Sequence, residues 1–313
     1  MKAGGLAGRH VVHAGDLSVE EIVRVLDEAE RMLPFARGEK PTRAAQGRVL
    51  GALFFEPSTR TRLSFEAAMA RLGGTSLGFA EPGVSSVSKG ETLADTVRVA
   101  SQYVDAIVLR HQHEGAARLA SKYSRVPVVN GGDGAGQHPT QTLLDLFTIR
   151  REKGPIEKQR VGIVGDLKYG RTVHSLAHAL SRFGAEMVFV APPTLQMPKD
   201  ALESLREMNA RFTTESSLEK VVGGLDVVYV TRIQRERFPD PEEYNKVAGT
   251  YRIDAELLAK AKKGTIVLHP LPRVGEIAPE VDVTSHAKYF EQAFYGVPVR
   301  MALLSLLMGV EVA

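Results

Sequence analysis

The amino-acid sequence predicts an α/β fold of two domains, each a mostly parallel sheet flanked by helices. Three observations carry that expectation. The chain has 313 residues, too long for one ordinary core and suited to two domains of roughly 150 residues each. Short β-rich apolar runs alternate with longer segments of helical period, the pattern of repeated βα units. The apolar runs also end in unusual polar residues, and open parallel sheets bind ligands at the carboxyl ends of their strands.

The elements follow in order. The first helix starts at Ser18, whose hydroxyl caps it, and Glu21 three residues later completes a capping box. Ile22, Val25, Leu26 and Ala29 then share one face. Strands are expected at residues 49–55, 75–79, 105–109 and 126–130, followed by a helix from 139 to about 152 with Pro139 in its first turn. The charged stretch EKGPIEKQ, with Gly154 and Pro155, marks a boundary. It separates a first domain, residues 1–152, from a second, residues 153–288. Strands are expected there at 161–164, 187–190, 227–231 and 265–268. A last helix from Tyr289 to about Met308 closes the chain, and residues 289–313 are expected to pack back on the first domain.

Composition narrows the function. Apolar residues make up 43% and charged residues 25%, as in ordinary globular proteins. No run of about 18 apolar residues suggests a membrane span. The N-terminal MKAGGLAGRHVVHAGDLS has no apolar signal-peptide core, so a cytoplasmic location is expected. Cysteine is absent, which excludes disulfides, thiolate nucleophiles and Cys-ligated zinc. The net charge of +3, 40 basic against 37 acidic residues, is too mild to argue for nucleic acid. No H-E-x-x-H set and no G-x-S-x-G elbow occurs. Neither a metal nor a cofactor is expected.

The strand ends carry the chemistry. The run 49–55 leads into Glu56-Pro57-Ser58-Thr59-Arg60-Thr61-Arg62, and 105–109 ends at Arg110. The run 126–130 leads to GGDGAGQHPTQ, 161–164 to GDLKYGRT, 227–231 to Arg232, and 265–268 to His269-Pro270-Leu271-Pro272-Arg273. Together they predict a cleft lined with arginine, histidine and hydroxyl groups, suited to a small, anion-rich ligand.

Each motif has a bland and a chemical meaning. Ser58 to Arg62 opens a helix, where free N–H groups and the dipole favour phosphate. Ser58, Thr59 and Thr61 add hydroxyls there, and Arg60 adds a planar fork; an ordinary cap with solvated arginines is the plainer account. His138 can donate to a carbonyl oxygen and Gln141 can bind an amide, although a lone histidine is more often structural. VGIVGDLKYGR invites a dinucleotide reading, but Gly162, Gly165 and Gly170 do not match GxGxxG. Arg232, Arg235 and Arg237 follow an apolar strand, which makes carboxylate recognition plausible beside a solvated face. The two X-Pro bonds of His269 to Arg273 fix a rigid turn that can present carbonyls to an NH₂ group, and either can be cis.

Taken together and in this order, the motifs resemble the aspartate/ornithine carbamoyltransferase family from about Leu53 to the final helix. FFEPSTRTRLSFE resembles the family's carbamoyl-phosphate signature. Pro139-Thr140-Gln141 and HPLPR stand where ornithine enzymes typically carry cysteine, and TRIQRER resembles the aspartate-side loop. The resemblance implies that Ser58, Thr59, Arg60 and Thr61 cradle phosphate and that Arg110, His138 and Thr61 donate to the carbamoyl oxygen. It implies that Gln141 and the backbone of Leu271 and Pro272 hold the carbamoyl NH₂. Arg171, Arg232, Gln234 and Lys89 are implied as aspartate ligands. Lys89 and a serine, Ser86 in preference to Ser85, are implied to reach a neighbouring subunit's site. The loop carrying them, SSVSKGETL, looks one residue shorter than one common family form. Glu56 is implied to pair with Arg171 or Arg237 when the cleft closes. A homotrimer with shared sites follows from the same resemblance; regulatory chains are a candidate partner that the sequence leaves open.

The implied reaction is transfer of a carbamoyl group from carbamoyl phosphate to L-aspartate, a step of pyrimidine biosynthesis. It needs positioned substrates and positive charge at the developing oxyanion, not a covalent nucleophile. An ornithine-specific relative, a nicotinamide-dependent oxidoreductase and a non-catalytic scaffold are the competing classes.

Overall fold

A computed structural model of the chain describes residues 5–80, 89–134, 136–233, 242, 247 and 249–312, and all of Arg171 but its side chain. The chain divides into two units: Met1–Phe147 with Phe294–Ala313, and Thr148–Ala293.

In the first unit, α1 (Val19–Arg37) begins with the expected capping box between Ser18 and Glu21, and Ile22, Val25, Leu26 and Ala29 are buried. Four parallel strands follow: β1 (Val49–Phe54), β2 (Thr75–Phe79), β3 (Ala106–His111) and β4 (Val128–Asp133), in the order β2-β1-β3-β4. Their helices are α2 (Thr59–Arg71), α3 (Leu93–Ala100), α4 (Ala116–Tyr123) and α5 (Pro139–Lys153). β4 is buried throughout, as a parallel strand covered on both faces must be. Val11 bridges Val129 in parallel, so the N-terminal segment extends this sheet.

In the second unit, β5 (Arg160–Val164), β6 (Glu186–Val190), β7 (Arg211–Glu215), β8 (Val227–Val230) and β9 (Ile266–Leu268) form a parallel sheet in the order β7-β6-β5-β8-β9. Helices α6 (Arg171–Arg182), α7 (Lys199–Glu207) and α8 (Ala255–Ala259) accompany it. One core cluster joins Val164, Val188, Val228 and Val267 with Ile253, Ile277 and Tyr289.

The closing helix α9 (Tyr289–Met308) returns to the first unit from Phe294 onward. Tyr295 meets Phe147 edge-on at 5.3 Å, and Gly8 N–H donates to Leu307 O at 2.9 Å. Both unit divisions fall inside helices, α5 and α9, whose sides are buried nearly all round.

β7 is a strand that periodicity did not mark. Its RFTTE sequence is polar at four of five positions and mostly exposed because it lies at the sheet edge. Conversely, β3 and β4 run past their expected ends, so Arg110 and Asp133 lie within strands.

Candidate active site

On the first unit, the expected residues gather at the carboxyl ends of three neighbouring strands, β1, β3 and β4. β1 leads through Glu56 to α2. Ser58 stands at its N-cap with extended backbone, yet its side chain makes no capping hydrogen bond. The plainer account, an ordinary serine cap, therefore fails, and the helix N-terminus keeps its free N–H groups. Thr59 and Arg60 are exposed there, whereas Thr61 is buried.

Arg60 and Arg110 face one another closely enough to interact. The pKa of Arg60 is lowered, first by partial burial and then by the like charge of Arg110. Two like charges that act on one another beside a helix N-terminus favour an anion there. Arg110 is held by Glu56 Oε1 and by Gly131 O, each at 3.1 Å. Its buried Nε has no hydrogen-bond partner among the described residues. Glu56 thus pairs within its own unit in this structure; the Arg171 side chain and residue 237 lie outside the described residues.

His138 is buried just before α5, and its Nε2 lies 3.5 Å from Thr61 Oγ1. Residues that the motifs did not flag hold this loop. Asn130, fully buried, donates from Nδ2 to Val12 O and to Asp133 Oδ1, each at 3.0 Å. Its Oδ1 accepts from Gly132 N–H at 2.8 Å. Asp133 accepts from Gln137 N–H at 2.8 Å and from Gly115 N–H at 2.9 Å. Polar residues inside an otherwise apolar strand run, in VVNGGD, were the available signal. In the first turn of α5, Gln141 is half-buried. Thr61, Arg60, Arg110, His138 and Gln141 are therefore gathered on one unit, within reach of two helix N-termini.

On the second unit, the remaining expected residues lie at the carboxyl ends of β5, β8 and β9, again neighbours in their sheet. After β5, Gly165 sits at φ +117°, and a Cβ there would stand 2.3 Å from Thr231 O. Asp166, fully buried, accepts from Tyr169 N–H at 2.9 Å and shapes the turn into α6, which opens at Arg171. Arg232 is half-buried two residues beyond β8. After β9, His269 is buried and Leu271 adopts φ +57°, ahead of a cis Leu271-Pro272 bond. His269 N–H donates to Gln292 Oε1 at 2.8 Å. Lys89 is exposed. Ser85, Ser86 and Gln234 fall outside the described residues.

Among the described residues there is no group of three or more His, Cys, Asp or Glu arranged to hold a metal ion. No helix there is long and apolar enough to cross a membrane. Arginine and hydroxyl side chains thus stand at a helix N-terminus on the first unit, and Arg232 follows a parallel strand on the second.

The chain belongs to the aspartate/ornithine carbamoyltransferase family. Residues 9–151 match the family's carbamoyl-P binding domain, and residues 157–307 match its Asp/Orn binding domain. Its relatives are more particular. An aspartate carbamoyltransferase catalytic subunit from Methanocella arvoryzae is 60% identical over 305 residues, 97% of this chain and 98% of that protein. One from Methanosarcina acetivorans is 59% identical over 302 residues, 96% of this chain and 98% of its own length. Among solved structures, the catalytic subunit of M. jannaschii aspartate transcarbamoylase is 54% identical with a TM-score of 0.91, covering 96% of this chain and 98% of that one. Aspartate transcarbamoylase from Trypanosoma cruzi, solved in complex with carbamoyl aspartate and phosphate, is 40% identical with a TM-score of 0.88, covering 96% of each chain.

Proposed function

We propose that the chain is the catalytic chain of an aspartate carbamoyltransferase. It moves the carbamoyl group of carbamoyl phosphate to the amino group of L-aspartate, giving N-carbamoyl-L-aspartate and phosphate for pyrimidine biosynthesis. The observation that carries this reading is the N-terminus of α2, left uncapped by the Ser58 side chain, with Thr61 Oγ1 3.5 Å from His138 Nε2 and Arg60 under the charge of Arg110. Relatives at 60% and 59% identity bear the same name, which favours aspartate over ornithine as acceptor.

In this reading Ser58, Thr59, Arg60 and Thr61 take the phosphate. Arg110, His138 and Thr61 donate to the carbamoyl oxygen. Gln141 and the carbonyls of Leu271 and Pro272 receive the carbamoyl NH₂. The neutral amine of aspartate attacks the carbamoyl carbon, a tetrahedral centre forms, and the C–O bond to phosphate breaks. The departing phosphate can take the amine proton, so no protein base is required. Preorganised positive charge lowers the barrier where the oxyanion and leaving phosphate develop. Arg171, Arg232, Gln234 and Lys89 serve the carboxylates of aspartate.

The wider assignment follows the same resemblance. It comprises a first domain of residues 1–152 with 289–313, a second of residues 153–288, and a cytoplasmic homotrimer in which Ser86 and Lys89 enter a neighbouring site. Regulatory chains are candidate partners. Purified chain should form carbamoyl aspartate and phosphate from carbamoyl phosphate and aspartate, and no citrulline with ornithine. Turnover with ornithine alone would overturn the acceptor assignment.

A further inference from the structure

Behind the first turn of α5 lie two buried charged residues that no motif marks, Asp145 and Arg300. Gln141 Nε2 donates to Asp145 Oδ1 at 2.9 Å, one turn along the same helix. Asp145 is fully buried. From α9, Arg300 Nη2 donates to Thr140 Oγ1 at 3.3 Å, and the guanidinium lies over the Phe65 ring, 4.9 Å from its centre. Burial pushes the Arg300 pKa down to about 10, and the charge of Asp145 opposes that fall. Gly296, one turn earlier, makes room for the guanidinium, since a Cβ there would stand 2.3 Å from Nη1.

A carboxylate only accepts hydrogen bonds, so the Gln141 amide must turn its NH₂ toward Asp145. The oxygen Oε1 is then the group left for a ligand, and it can accept but not donate. A carbamoyl group carries NH₂ where an acetyl group carries methyl. The two donors are nearly the same shape, and an acceptor oxygen separates them because only the amine can satisfy it.

We propose that Asp145 is a positioning residue for donor choice: through Gln141 it presents an acceptor-only oxygen to the carbamoyl NH₂. This rests on the role given to Gln141 above. A bond that served only the helix would leave donor discrimination untouched.

The test compares the purified chain with Asp145→Asn, Gln141→Glu and the double variant. Each is measured for the KM of carbamoyl phosphate, for inhibition by acetyl phosphate, and for Tm. With D145N the glutamine loses its fixed orientation, and with Q141E two carboxylates confront one another. In the double variant an amide at 145 can donate to a carboxylate at 141, whose other oxygen again only accepts. Each single variant should lose about 10–100-fold in preference for carbamoyl over acetyl phosphate, and the double variant should recover most of it. A folded D145N with wild-type preference, or a double variant no better than the worse single one, overturns the proposal. Gln141→Leu separates the two levels. If it keeps wild-type preference, the role of Gln141 itself is wrong and the inference falls with it. If it loses preference while D145N does not, the inference alone falls. Should D145N not fold, Q141E against the double variant decides the same question.

Discussion

The buried His269 donates from Nε2 to Glu276 Oε1 at 2.7 Å, while its Nδ1 accepts from Leu271 N–H at 2.8 Å. The carboxylate thereby fixes the tautomer that orients the Leu271-Pro272 turn. Burial would raise the Glu276 pKa, but the His269 bond and the N–H groups of Gly275 and Val274 outweigh it and hold it at about 2. The folded value lies below the ordinary one, so its stabilisation is present above about pH 4.5 and is lost as pH falls toward 2. Glu276→Gln should cost on the order of 2 kcal/mol at pH 7, after solvent screening. The gap to wild type, read by urea unfolding, should close between pH 4.5 and 2. A gap independent of pH would contradict the assignment.

Arg110→Ala or His138→Ala should lower turnover by about 10²–10³, the usual effect of removing one oxyanion donor. Steady-state assays at saturating substrates check this, and unchanged turnover in either folded variant would remove that residue from the role.

Arg232→Ala should raise the KM for aspartate more than that for carbamoyl phosphate. Arg232 follows β8 on the second unit, whereas Arg60 and Arg110 stand on the first. The reverse ranking would move Arg232 out of acceptor binding.

The mutual repulsion of Arg60 and Arg110 should be relieved by a bound anion. Inorganic phosphate at about 100 times its Kd should stabilise the folded chain by about 2.7 kcal/mol. Arg60→Ala should shrink that gain, and raised salt should weaken binding as exposed charges are screened. Calorimetry with phosphate, in low and high salt, measures both effects.

Gly165→Ala should destabilise the second unit by about 2–3 kcal/mol, since its positive φ and the 2.3 Å approach to Thr231 O both exclude a Cβ. Thermal unfolding reads this directly, and a neutral substitution would refute the close approach.

The sequence by itself determined the α/β class, the first capping box, eight of the nine described strands to within a few residues, and the residues that cluster at strand ends. Those features are local: apolar period, caps and turn residues act over a few positions. The edge strand β7 was hidden because an exposed edge needs little apolar pattern. The tertiary structure alone decided which residues stand behind the motif side chains. Glu56 closes on Arg110 across 54 positions, and Arg300 reaches Thr140 across 160. No period or spacing in the chain encodes such pairs. They form because buried charge must find a partner wherever the fold brings one near, and that requirement aims the groups the motifs supply.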